Sequence, residues 1–146
     1  MTTALATFFL RDLERLKSEL LQYKSETTIW KVNGEIKNSG GNLAAHLIGN
    51  LNHWFGALLA KNGYQRDHYQ ELNTSNIPLE KLLEDIEKVK IIVERELPKI
   101  THDQLQGLYP GPIPYNMNMQ EFLLHLLAHF SYHLGQINYH RRILDN

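Results

Sequence analysis

The chain has 146 residues, 42% hydrophobic and 21% charged, which suits a globular domain spanning residues 1–146 with room for a full core. A formal charge of -1 leaves no basic field to draw in nucleic acid or a membrane surface, and the absence of cysteine excludes disulfides, thiolate metal sites and a catalytic thiol. The opening residues lack the basic start and cleavage site of a signal peptide, and no apolar run reaches the length of a membrane span, so a cytoplasmic location is expected.

Leu5, Phe9, Leu13, Leu16 and Leu20 recur at three- and four-residue steps among charged residues, which predicts an amphipathic helix of about 20 residues. From Thr27 to Asn38 the pattern breaks. Asn33-Gly34 suits a tight turn, so this stretch reads as a short hairpin or irregular excursion. Ser39-Gly-Gly-Asn42 opens a second helix and Gly63 closes it. Its apolar stripe is Leu43, Leu47, Leu51, Trp54 and Leu58, with His46, Asn50 and His53 on the adjacent face. Residues 64–76 are polar and turn-rich and read as a loop.

Pro78 and Pro98 bracket a third helix with a clean stripe from Leu79 to Leu97. Tyr109-Pro-Gly-Pro-Ile-Pro-Tyr115 is a loop, and Asn118-Met-Gln-Glu121 forms a capping box ahead of a fourth helix that runs to about Leu144. Residues 122–130 are apolar almost all round, which predicts a central helix, and Gly135 is expected to allow close helix packing. The expected fold class is therefore all-α, a four-helix bundle with long connections at 25–38, 64–76 and 98–117.

The fourth helix carries His125, His129 and His133, each four residues from the next. Side chains at i and i+4 share a helix face at about 6 Å of rise, so two imidazoles can meet at one ion, whereas the outer two of three stand about 12 Å apart. A third ligand must come from elsewhere. His46 and His53 on the second helix are in phase, and spacing alone chooses neither between them nor between the pairs His125/His129 and His129/His133. His129 belongs to both pairs. Burying several imidazoles costs solvation that a bound metal compensates. Rival metal and hydrolase signatures are missing: no Glu-x-x-His, no His-Glu-x-x-His and no nucleophile elbow.

Gly41-Asn-Leu43, His46-Leu47, Gly49-Asn-Leu51 and Trp54-Phe55, followed by His129-x-x-x-His133-x-Gly135-Gln136, resemble the DinB-like superfamily over nearly the whole chain. These are small bacterial four-helix bundles with a three-histidine metal site. The resemblance implies His46, His129 and His133 as the metal ligands, with His125 a packing or outer residue and His53 outside the site. Many relatives carry an arginine where this chain has Leu134, so no contact is carried over for that position. Gln136, one turn beyond His133, has the reach to hydrogen-bond near the site, but its first reading is a helix–helix or dimer contact.

A three-histidine site keeps a coordination position open and lowers the pKa of water or thiol bound there. Zinc is the first expectation, with nickel, cobalt and iron as further candidates. Characterised superfamily members include bacillithiol- and mycothiol-dependent transferases and isomerases, and others resemble metal-dependent hydrolases. The resemblance thus implies a metal-dependent enzyme that activates a low-molecular-weight thiol cosubstrate, or water, against a small-molecule electrophile. A non-enzymatic metal- or ligand-binding bundle is the competing reading. A homodimer is a further expectation, because relatives often pair bundle faces. Glu35, Asp67, Asp103 and Glu121 are the acids near the long connections, and Tyr64, His68, His102 and Tyr115 are candidate pocket residues. None of these receives a catalytic role from the sequence.

Overall fold

Apolar residues at helical spacing need a partner surface, and the longest helices supply it to one another. The computed structural model describes all 146 residues and contains helices but no named strand. Helix α1 is Thr2–Leu21, α2 Glu26–Ile29, and α3 Gly40–Leu51, which continues as a π-helical segment over Asn52–Leu59. Helix α4 is His68–Asn73, α5 Leu79–Glu96 with a closing 3-10 turn at Leu97–Lys99, α6 His102–Gln106 and α7 Met119–Leu144. α1 and α3 each pack against both α5 and α7.

The predicted stripes fill this space. Phe9, Leu13, Leu16 and Leu20 of α1 are fully buried, as are Ile86, Val89 and Val93 of α5 and Leu123 and Ile137 of α7. Phe9 meets Phe55 edge-on, with ring centroids 5.1 Å apart, and thereby ties α1 to the π-helical segment. Asp12 is buried in the middle of α1. Its carboxylate accepts from Arg11 Nε at 2.8 Å and from Ser131 Oγ of α7 at 2.9 Å, which offsets the cost of burying the charge.

The chain forms seven α-helices rather than four. The additional three lie in the long connections, and each starts at a side-chain cap. Ser25 accepts from the Thr27 amide, Asp67 from Gln70, and Thr101 from Gln104. Serine, threonine and aspartate mark turns and helix starts alike, so the reading of 64–76 as loop missed α4. The excursion before α3 is helical at Glu26–Ile29, and only an isolated Asn33–Ile36 bridge survives of the expected hairpin, around Gly34 at φ +56°.

The capping box at the start of α7 is present in both directions. The Glu121 amide donates to Asn118 Oδ1 and the Asn118 amide to Glu121 Oε2, each at 2.9 Å. α7 is not enclosed on all sides, since Leu124 is 45% exposed. A helix packed against two long neighbours keeps one flank toward solvent. Gly135 also departs from expectation: a Cβ placed there would meet nothing within 4 Å, so no close packing requires it. Because glycine in a helix interior is costly through backbone entropy, Gly135→Ala is expected to raise stability by about 0.5–1 kcal/mol, read from urea unfolding. No helix is long and apolar enough to cross a membrane.

Candidate metal centre

Helix α3 presents His46 toward α7, and α7 presents His129 and His133 from consecutive turns of one face. One ring nitrogen from each of the three lies within 4.8 Å of the others. Nε2 of His46 stands 3.2 Å from Nε2 of His129. Two nitrogens bound to one tetrahedral ion at 2.0–2.1 Å would be separated by about 3.3 Å, so this pair is already at ligand spacing.

The remaining ring nitrogens define which lone pairs are free. His46 Nδ1 faces Glu71 Oε2 at 3.1 Å, and His133 Nδ1 faces Gln136 Oε1 at 2.6 Å. Both oxygens are acceptors, so each histidine donates from Nδ1 and keeps its lone pair on Nε2, where that of His46 accepts from His129 Nε2. A ligating histidine is commonly oriented in this way through its second nitrogen. Gln136, first read as a packing or dimer contact, instead touches His133. Nδ1 of His129 is buried and has no hydrogen-bond partner. Burial, aided by the neighbouring His133 and His46, depresses His129 to about 4. Burial also lowers His133, against the opposing pull of Gln136. His129 is therefore neutral at pH 7, the form that ligates a metal, and the donor set fits a divalent ion.

Glu71 was not among the residues singled out by sequence, yet it is the most connected group of the site. It lies on α4, is 7% exposed, and takes Arg66 in a fork, Nε to Oε1 at 2.7 Å and Nη2 to Oε2 at 2.9 Å. Burial raises its pKa, but hydrogen bonds from His46 and Arg66 outweigh that and hold the carboxyl below its ordinary value. Its approach to α3 needs Gly49. A Cβ at that position would stand 2.0 Å from Glu71 Oε1. A glycine three residues after a candidate ligand, inside a helix, was the available signal. Removing the charge by Glu71→Gln is expected to weaken divalent-metal binding 10–100-fold, read by competition with a chromophoric chelator, with helix content unchanged.

The other candidates fall outside the three-histidine group. His125 packs against Tyr115, ring centroids 4.6 Å apart, and His53 against Trp54 at 4.5 Å. Asp67 caps α4 and Glu121 closes the α7 capping box. His68 lies 5.3 Å from His46 between ring centroids, and His46, His68 and Glu71 form a second group of close donors. Arg66 already holds both Glu71 oxygens and approaches His46 Nδ1 to 3.3 Å, so its charge opposes a cation there.

A cavity of about 250 Å³ adjoins the donor group, with His46 and His129 in its wall. A larger cleft of about 440 Å³ opens on the far side of Glu71, among Lys81, Asp85 and Lys88, and does not reach the three histidines.

An all-α chain that gathers three histidines from two long helices, with a group able to hold a metal ion, has the character of a helical metal-binding protein. The chain belongs to the DinB family, whose model matches residues 9–142. No curated protein matches it.

Proposed function

We propose that the chain is a single DinB-like domain built on a four-helix bundle, in which His46, His129 and His133 ligate one divalent metal ion, zinc in the first place. We further propose that it is an enzyme that brings a low-molecular-weight thiol, or water, to attack a small electrophile. The observation that carries the reading is the pair of Nε2 atoms 3.2 Å apart on α3 and α7, joined by His133, with Nδ1 of His46 and His133 committed to Glu71 and Gln136. Family membership supports it.

A metal held by three neutral nitrogens would act as a Lewis acid and lower the pKa of whatever occupies its open position. The chain itself supplies the positioning. Arg66 and Glu71 hold the His46 ring, Gln136 holds the His133 ring, and burial with the neighbouring histidines keeps His129 unprotonated. The cysteine-free sequence accords with a thiol that arrives as cosubstrate.

The test is metal analysis of protein purified without a metal-affinity column, followed by assays on zinc-loaded protein with a small thiol and a chromogenic haloarene. Near-stoichiometric metal and thiol conjugation, both lost in His133→Ala, support the reading. Ester cleavage without thiol would favour the hydrolase alternative. A wild-type protein with no more metal than the variant would overturn the metal assignment.

A further inference from the structure

The cavity beside the donor group has walls of a definite chemistry. Trp54 comes from the π-helical segment, Phe122 and His125 from α7, and Tyr115 from the proline-rich loop that reaches over them. Their rings form a connected set: Trp54 and Phe122 meet edge-on at 4.7 Å, and Tyr115 lies 4.6 Å from His125. The loop bearing Tyr115 is anchored from beneath, because the Tyr109 hydroxyl donates to the Trp54 carbonyl and the Met119 amide donates to the Gly107 carbonyl. The roof is thus built by structure on both sides of the loop.

Polar side chains interrupt this lining, Asn50, Arg66 and His68 besides the histidines already described. Asn50 is one turn beyond His46 on α3, is 8% exposed and lines the cavity, yet its carboxamide bonds to no other residue. The residue as a whole is buried, but its amide atoms are not sealed, since the one fully buried unpartnered side-chain atom is His129 Nδ1, so the carboxamide is open to an incoming group. Asn50 offers one acceptor and two donors to whatever enters. Arg66, also in the wall, is already committed, since it is paired with Glu71 and its charge balanced.

We propose that this cavity binds the electrophilic substrate, a small uncharged molecule with one conjugated ring and an amide- or carbonyl-type edge, and that Asn50 is the residue that positions it by that edge. The assignment rests on the reading of the adjacent histidines as a metal site, because His46 and His129 belong to both. Aromatic walls favour a flat conjugated face over a puckered saturated ring. At about 250 Å³ the space lies just below the range of drug-sized pockets, which limits the occupant to a single ring with short substituents. In the metal-free protein the Arg66–Glu71 pair leaves the wall without net charge, so a carboxylate gains no advantage there over a neutral amide.

The experiment titrates benzamide, cyclohexanecarboxamide and benzoate into metal-free protein, followed by NMR shifts of the Trp54 indole. The same preparation is assayed separately for zinc stoichiometry. Benzamide is expected to bind at least about fivefold more tightly than either of the other probes, and Asn50→Leu to weaken it about fivefold or more. Equal binding of benzamide and cyclohexanecarboxamide, or benzamide binding unchanged in Asn50→Leu, overturns the proposal. The probe order is read in wild-type protein alone, so it remains decisive if the variant does not fold. Loss of that order with one zinc per chain retained sinks the cavity assignment alone. The order retained without zinc binding sinks the metal reading alone.

Discussion

His129→Ala is expected to lower zinc affinity by at least about two orders of magnitude, beyond the 10–100-fold range typical of losing an outer hydrogen-bond partner. His129 is the shared member of the site: its Nε2 faces that of His46, and it occupies the same helix face as His133 one turn earlier. Its removal leaves two donors that approach from different helices and cannot enclose an ion between them. The fold should survive. His129 makes no hydrogen bond through Nδ1, and burial already disfavours its charged form, so the side chain contributes little that alanine forfeits. Circular dichroism and a zinc titration on the same sample check both halves. Retained zinc affinity would move the site elsewhere, and loss of helix would make the metal structural.

The opposite signature is expected of Phe55→Ala. Phe55 is fully buried and its ring lies edge-on to Phe9, so truncation removes apolar burial and leaves a cavity between α1 and the π-helical segment. The loss should be about 3–5 kcal/mol, which for a chain of this length corresponds to a fall in Tm on the order of 10 °C. A double-mutant cycle with Phe9→Ala should return a coupling of about 0.5–1.5 kcal/mol from the aromatic pair. Both are read by urea and thermal unfolding. A loss under 1 kcal/mol would mean that the neighbouring side chains collapse into the space.

The long helices were legible because burial imposes a period. Leu5 through Leu20 declare the inner face of α1, and the capping box at Asn118 sets the start of α7 to the residue. The three short helices were not. Each is four to six residues long, too short to show a period, and each begins at a serine, threonine or aspartate that signals a turn equally well. The same limit hid half of the site. The histidines could be paired along one helix by pitch, but the choice of partner across the bundle came only with the family resemblance. Glu71 and Arg66 reach His46 through a surface segment with no periodic constraint, and Gln136 was ambiguous because a glutamine one turn from a ligand can face either way. The aromatic cavity was legible only in part, through Tyr115 and His68, two of the candidate pocket residues that do line it. Tyr115 belongs to a loop, and its approach to Phe122 and His125 depends on tertiary folding.

α4 has a consequence for how the site behaves in time. Six residues cannot sustain a helix unaided, and its order derives from α3. Asn42 Nδ2 donates to the carbonyls of Thr74 and Glu71, and Glu71 inserts its carboxylate beside Gly49 to reach His46. Ordering of a peripheral segment and the tautomer of an interior imidazole are therefore one equilibrium. When residues 64–76 fray, His46 loses the acceptor that keeps its proton on Nδ1, and when that proton is held, the segment is fastened down. Amide exchange across α4 should then report, from the outside of the molecule, on the readiness of a nitrogen in its interior.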